Sequence, residues 1–297
     1  MTDPAVSFEP HRRRLLGLAY RMLGSVSEAE DAVQDAYLRW HGADRDAVSD
    51  PRAFLTATTT RICLDTLKSA RARREAYVGP WLPEPVVDTA ALAPDAQTEL
   101  AEDLSIALLL ALDRLSALER AAFLLHDVFD CSFSEVASAL GRSEAACRQL
   151  AARARTHVRE ARPQGTAVAR DRPEPSNHER LVSAFIDAAR SGDLQALMGL
   201  LADGVRVTTD GGGKVPSALN VIEGADRAAR FVVGAVSKGL PEGSIIRIAS
   251  INGLPGLIAY KPDGSVQSVA FEIADNRVHA IYAVSNPEKL SHLVPPA

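Results

Sequence analysis

From residue 9 to residue 74 apolar side chains recur at helical spacing in three runs. Leu15, Leu16, Leu18, Ala19, Met22 and Leu23 form the first stripe,. Ala29, Ala32, Val33, Ala36, Tyr37 and Trp40 form the second, opposite a face carrying Glu28, Glu30, Asp31 and Asp35. Ser27 and Glu30 have the spacing of a capping box and predict where that helix begins,. Asp50-Pro51 supplies an N-cap and a first-turn proline for a third helix with Phe54, Leu55, Ile62 and Leu67,. It finishes in Lys68, Arg71, Arg73 and Arg74. Helical periodicity returns over residues 105–162, where Ser116 with Glu119 and Ser132 with Glu135 are two more capping boxes,. Residues 163–176, PQGTAVARDRPEPS, read as an interdomain linker,. From Asn177 the period changes. Two short helices are predicted at about 178–190 and 193–202, then the strand-like VRVTTD, a glycine-rich turn and a helix near 225–238,. SIIRIASI, GLIAYK, SVQSVAFEI and RVHAIYAV follow as strands, with Lys261-Pro262-Asp263-Gly264 and Asp275-Asn276 as hairpin turns,. The order predicts an α+β domain, a curved antiparallel sheet packed on helices.

At 297 residues two or three domains are expected,. Hydrophobic content of 46% excludes wholesale disorder,. Cys63, Cys131 and Cys147 have neither CxxC nor Cys/His metal spacing and read as reduced core residues, with no metal and no cofactor implied,. The N-terminus has no apolar signal core, and the run IALLLAL at 106–112 is far too short to cross a bilayer,. A soluble cytoplasmic protein without membrane association is expected.

The net charge of −5 hides strong local blocks,. In FSEVASALGRSEAACRQLAARAR, residues 133–155, Val136, Ala137 and Leu140 face inward on one helix. Gly141 permits a tight turn, and Ser143 caps a second helix whose inward residues are Cys147 and Leu150. Such spacing suits two helices crossing near a right angle, a helix-turn-helix. The second helix exposes Glu144, Arg148, Gln149, Arg153 and Arg155, and residues 142–162 hold six arginines against two glutamates. Arginine and glutamine can pair with base edges, and surplus arginines can hold phosphates. The alternative is a solvated hairpin with an arginine face. The helix bearing Arg52, Arg61, Lys68 and Arg71 is a second candidate nucleic-acid surface, and its alternative is likewise a solvated charge run,.

Between these basic blocks, residues 75–104 carry seven acidic residues and no lysine or arginine. Near its start stands Trp81-Leu82-Pro83-Glu84-Pro85-Val86, an aromatic anchor in a proline-stiffened stretch,.

Together these residues resemble the extracytoplasmic-function branch of the sigma-70 transcription initiation factors. LLGLAYRMLGSVSEAEDAVQDAYLRW resembles sigma region 2, within residues 1–75, and LSALERAAFLLHDVFDCSFSEVASALGRSEAACRQLAARAR resembles region 4, within 105–162. The resemblance implies two all-α domains that bind core RNA polymerase and promoter DNA. It places Asp31, Asp35, Leu38 and Trp40 on the polymerase-binding helix, and Arg52, Arg61, Lys68 and Arg71 at or beyond a loop (about 44–54) that captures an unstacked −10 base. Arg142, Ser143, Glu144, Arg148, Gln149, Arg153 and Arg155 fall on the −35 recognition element. It also implies that the acidic linker threads a polymerase channel.

The residues from 177 onward resemble a SnoaL-like cone-shaped α+β barrel, and the whole chain resembles the SigJ-like group of such sigma factors. The group's motifs stand here as Trp81-Leu82-Pro83-Glu84-Pro85, Asp210-Gly211-Gly212-Gly213-Lys214 and Asn286-Pro287-Glu288-Lys289-Leu290. Asp210 and Lys214 place a carboxylate and an ammonium near one cone mouth, with His279 and Tyr282 on a late strand, yet no second catalytic carboxylate is assignable, so no catalytic set is expected. Ligand sensing or catalysis remains the alternative to an intramolecular regulator. The expectation is a chain, monomeric when free, in which WLPEPV docks on the C-terminal domain near Asp210–Lys214.

Overall fold

The computed structural model describes residues 3–75, 77–87, 105–161 and 175–293. The chain divides into two units, one holding residues 1–76 and 106–163, the other residues 77–105 and 164–297. The start of the acidic linker, with its WLPEPV segment, therefore groups with the C-terminal residues.

In the helical unit, α1 (Pro4–Leu23) ends where Gly24 turns left-handed at φ 72° and its N–H returns to the Tyr20 carbonyl. That turn sets the start of α2 (Val26–His41). Its cap is Ser25, whose Oγ accepts the Glu28 N–H at 3.2 Å, and not the expected Ser27. Both serines have a glutamate three residues on, and the left-handed turn at Gly24 decides between them. Helix α3 (Pro51–Glu75) starts as expected, with the Ala53 N–H donating to Asp50 Oδ1. Leu15, Leu18, Met22, Ala29, Val33, Ala36, Leu55 and Ile62 are buried.

Helices α4 (Ile106–Asp113) and α5 (Ala117–Phe123) lead into a π-helical turn at Leu124–Val128, followed by α6 (Phe133–Leu140) and α7 (Glu144–Ala161). The capping boxes at Ser116/Glu119 and Ser132/Glu135 are both complete. Gly141 adopts φ 63° at the α6–α7 turn, a conformation cheap for glycine,. Val136 and Ala139 of α6 are buried, as are Cys147, Leu150, Ala151 and Ala154 of α7. Burial pushes the Cys63 thiol up to about 12 and raises the other two, which keeps these thiols protonated core groups,.

The second unit contains α8 (Pro175–Ser191), α9 (Leu194–Leu200), β1 (Leu201–Asp210), β2 (Ile222–Glu223), α10 (Ala225–Gly239), β3 (Ile245–Ile251), β4 (Leu254–Tyr260), β5 (Val266–Ala274), β6 (Arg277–Val284) and the short α11 (Pro287–Leu290). Helix α8 begins inside the expected 163–176 linker, with proline in its first turn, and α9 stops at 200 because Leu201 already enters the sheet. The six strands run in the order β2-β1-β6-β5-β4-β3. All neighbours are antiparallel except β1 and β6, which are parallel, so the sheet is mixed where an antiparallel one is expected. Leu181, Val182, Phe185, Leu197, Val205, Val207, Ala229, Phe271, Val278 and Ile281 form one core. The parallel pairing brings the C-terminal ends of β1 and β6 side by side, with Asp210 opposite Val284.

Candidate nucleic-acid interface and linker clasp

Helix α7 displays the first part of the predicted recognition surface. Ser143 caps it through its Oγ, which accepts the Ala146 N–H at 3.3 Å. Arg142, Ser143, Glu144, Arg148 and Gln149 are exposed. Arg148 pairs with Glu144 at 2.7 Å, an i,i+4 pair held in water, and its guanidinium also lies 5.1 Å from the Phe133 ring,. Arg153 and Arg155 behave differently. They reach back to Glu119 (2.7 Å) and Asp127 (2.6 Å), so they tie α7 to the preceding turns.

On α2, Asp31, Asp35 and Leu38 lie on one exposed face, with Leu38 57% exposed. Trp40 departs from its expected surface role. It is 2% exposed, its indole N–H donates to Ser7 Oγ, and its ring packs near Phe54. A buried tryptophan with a satisfied N–H is a core residue. On α3, Arg52 is exposed and Lys68 pairs with Asp65, while the side chain of Arg71 lies outside the described residues. Arg61 donates from Nε to the Ala139 carbonyl (3.0 Å) and from Nη2 to the Ser138 carbonyl (2.7 Å). It thereby satisfies orphan carbonyls at the C-terminus of α6, where a cation is favoured. The same unit is fastened by the buried Arg120, which donates to the Met22 carbonyl at 2.6 Å and pairs with Asp113 at 3.2 Å.

In the second unit the three predicted motifs meet. Residues 77–87 run across the ends of β1, β6 and α11. Leu82, Pro83, Glu84 and Pro85 are buried, Leu82 to 1%. Asp210 closes β1 with a fully buried side chain, and both its oxygens are engaged. Oδ1 accepts the Tyr77 hydroxyl at 2.5 Å and the Gly212 N–H at 3.1 Å. Oδ2 accepts the Leu82 N–H at 2.8 Å and the Lys289 ammonium at 2.7 Å. Lys289 also donates to the Leu82 carbonyl, and its ammonium lies 4.4 Å from the Trp81 ring centroid and 4.9 Å from that of Tyr77. A buried ion pair holds only if its remaining valences are met, and here a hydroxyl, main-chain groups and two aromatic faces meet them.

The ammonium that answers Asp210 is thus Lys289, not Lys214. Lys214 is nearly half exposed and pairs with Glu288 instead. Gly212 turns at φ 61°, and a Cβ there would meet Asn286 Nδ2 at 2.3 Å. Asn286 uses that same amide to donate to the Tyr77 hydroxyl at 2.9 Å. Burial first, then the Asp210 carboxylate beside it, raises the Tyr77 pKa above its ordinary range. Pro287 starts α11, and Leu290 is 3% exposed. His279 is half-buried, and the buried Tyr282 donates to Glu272 at 3.0 Å, away from Asp210.

Three contributors have no counterpart among the sequence motifs. Tyr77 is one. His292 meets the Pro85 carbonyl at 2.9 Å. Asn252 is the third. Its Oδ1 accepts the Val86 N–H (3.0 Å) and its N–H donates to the Val86 carbonyl (2.8 Å), while Val87 bridges Ile251. Asn252-Gly253, with φ 51° and 74°, is the Asn-Gly hairpin signature and is legible as a turn, though not as a docking point,. The acidic stretch 88–103 lies outside the described residues.

Residues 8–73 match the family described as sigma-70 region 2, and residues 105–158 match sigma-70, region 4. The ECF RNA polymerase sigma factor SigJ of Mycobacterium tuberculosis (strain H37Rv) is 40% identical over 294 residues, covering 96% of this chain and 92% of its own. This chain belongs to the ECF sigma factors. The probable ECF sigma factor SigI of the same species is 31% identical over 98% of the chain and 96% of its own. The crystal structure of M. tuberculosis SigJ superimposes with a TM-score of 0.76 at 37% identity, over 97% of this chain and 98% of that one. In this ECF sigma factor α1 to α3 are therefore region 2, α4 to α7 are region 4, and α8 to α11 with the sheet form a C-terminal α+β domain within the span that superimposes on SigJ. Among the described residues no helix is long and apolar enough to cross a membrane, and no His/Cys/Asp/Glu cluster fits a metal.

Proposed function

We propose that this sigma factor carries its own regulator, the SnoaL-like domain, which controls promoter-specific initiation by holding or releasing residues 77–87. The observation that carries this reading is the buried Asp210–Lys289 pair closed over the Leu82 peptide group. In this reading the factor binds core RNA polymerase through the exposed face of Asp31, Asp35 and Leu38. It contacts −10 DNA through the Arg52 and Lys68 side of α3, with Arg61 tying that helix to α6, and the −35 element through Arg142 to Gln149 of α7. Arg153 and Arg155 support the recognition helix through Glu119 and Asp127. The segment gripped by the clasp lies in the chain between regions 2 and 4, so holding or releasing it alters the length of tether that joins them.

The rival reading, a working enzyme or receptor at Asp210, finds less support. A catalytic carboxylate needs an oxygen facing substrate, and both oxygens of Asp210 face the protein's own groups,. Transcription in vitro, with core polymerase and genomic fragments as template, tests the proposal. Trp81→Ala and Lys289→Met are expected to change promoter output at least threefold relative to the parent, and Arg148→Ala to depress it. Equal output from the parent and both clasp variants, at equal protein and polymerase, would refute the regulatory role.

A further inference from the structure

We infer that the SnoaL-like domain is a receptor for extended, proline-containing peptides, and that its own residues 77–87 are an exchangeable occupant. The inference rests on the proposed docking of that segment and goes beyond it. Recognition is directed at main chain in two places. At Leu82 the N–H goes to Asp210 Oδ2 and the carbonyl accepts from Lys289, so one residue is held by both its polar groups. Four residues on, Asn252 does the same to Val86 with a side-chain oxygen and a backbone N–H. His292 adds the Pro85 carbonyl.

The peptide's own chemistry keeps these two grips in register. Pro83 and Pro85 fix their φ, and each pushes the residue before it out of the helical region, so Leu82 to Val86 is extended by covalent geometry. At a polyproline rise the two clamped residues stand about 12 Å apart. Prolines also remove N–H groups that burial would strand, which explains how Pro83 and Pro85 sit buried between the clamps,. Side-chain selectivity comes from the pocket around Leu82 and from Trp81 on the Lys289 ammonium. Every group in these contacts, Asp210, Asn252, Asn286, Lys289 and His292, belongs to the SnoaL-like domain. Recognition is therefore complete without the covalent connection. A segment of aromatic–aliphatic–Pro–x–Pro sequence in another polypeptide fits the same site. Its entry would expel the linker.

The tethered occupant competes at an effective concentration of the order of 1 mM, so it must first be weakened. The experiment uses the full chain with and without Leu82→Asp, which places a charge in the pocket, and a fluorescein-labelled peptide of residues 77–87. Fluorescence anisotropy reads binding, and protease cleavage within 77–87 reads the tethered copy. The Leu82→Asp chain is expected to bind the peptide saturably, at concentrations at least tenfold lower than the parent requires. Adding Asn252→Gly, which keeps the left-handed turn and deletes one acceptor, should weaken binding at least tenfold. A peptide that itself carries Leu82→Asp should not bind. If the peptide does not saturate the Leu82→Asp chain although its linker is cleaved and the parent's is protected, the receptor inference fails and tethered docking stands. If both chains are cleaved alike, docking itself is refuted. Binding indifferent to Asn252→Gly and to the altered peptide would be nonspecific and would also overturn the inference. Circular dichroism of each variant verifies that the domain stays folded.

Discussion

Replacing Lys289 by methionine keeps the length of the side chain and removes its charge. Lys289 and Asp210 are 2.7 Å apart with side chains 9% and 0% exposed, so water cannot take over for the missing ammonium. The variant strands a buried carboxylate, leaves the Leu82 carbonyl without its donor, and removes the cation from the faces of Trp81 and Tyr77. Deleting one member of a buried pair costs about 3–5 kcal/mol. If all of that falls on docking, the undocked population rises by about 140- to 3,700-fold at 1.4 kcal/mol per decade. Native-state hydrogen exchange of the Leu82 and Val86 amides measures it directly, because both N–H groups are bonded only while the segment is docked,. Protection at Leu82 should fall by that factor. Asp210→Asn combined with Lys289→Met removes both charges, and should be better protected than the sum of the single losses by at least about 2 kcal/mol, the mark of a coupled pair. Exchange in Lys289→Met within threefold of the parent, or strict additivity in the double variant, would refute the view that this ion pair closes the clasp.

Gly212→Ala adds a Cβ at φ 61° that meets the Asn286 amide at 2.3 Å, so it should loosen the 77–87 segment, read as faster proteolysis there. Tyr77 has a raised pKa from burial and Asp210, so its contribution is complete below about pH 10 and is lost as pH rises through the folded value,. Trp81 fluorescence should report undocking in that alkaline range, with a flatter profile in Tyr77→Phe. Ser132→Ala should cost about 1 kcal/mol in urea denaturation of the helical unit by removing a cap,. Bonds from the Ser132 hydroxyl and N–H hold Glu135 below the ordinary carboxylate range. This share of stability is present above about pH 4.3 and disappears as pH falls through the folded value, so the gap between parent and Ser132→Ala should narrow in acid to the cap bond from the Glu135 N–H alone,.

The helical unit is largely readable from sequence because its information is local. Capping boxes, a glycine at the helix-turn-helix bend and apolar stripes all act within four residues. The exceptions are also local ambiguities. Ser25 and Ser27 each have a glutamate at the right spacing, and Trp40 continues both the apolar stripe and the run of residues expected to face polymerase. The clasp is only half readable. Its three motifs stand out by composition, but their pairing does not. Lys214 lies four residues from Asp210 in sequence, while Lys289 reaches it only because β6 runs parallel to β1 and delivers α11 to the same edge. Side-chain alternation reports which face of a strand is buried, and it carries nothing about which strand lies alongside. Tyr77 and His292 carry no local signal, since a hydroxyl and an imidazole acquire roles from partners more than 130 and 200 residues away.

The C-terminal unit is assembled from two stretches of chain, with region 4 set between them like a long insert. Lys289 follows Leu82 by 207 residues, and at a synthesis rate of about 5–20 residues per second the ribosome needs about 10–40 s to supply it,. During that interval region 2 is already made, region 4 is completed, and the Leu82 segment has nothing to hold it. Each newly made molecule therefore passes through an unclasped period before Lys289 and the end of β6 exist, and the length of that period is written into the order of the chain. A cut anywhere between the two stretches would leave the clasp joined by contacts alone.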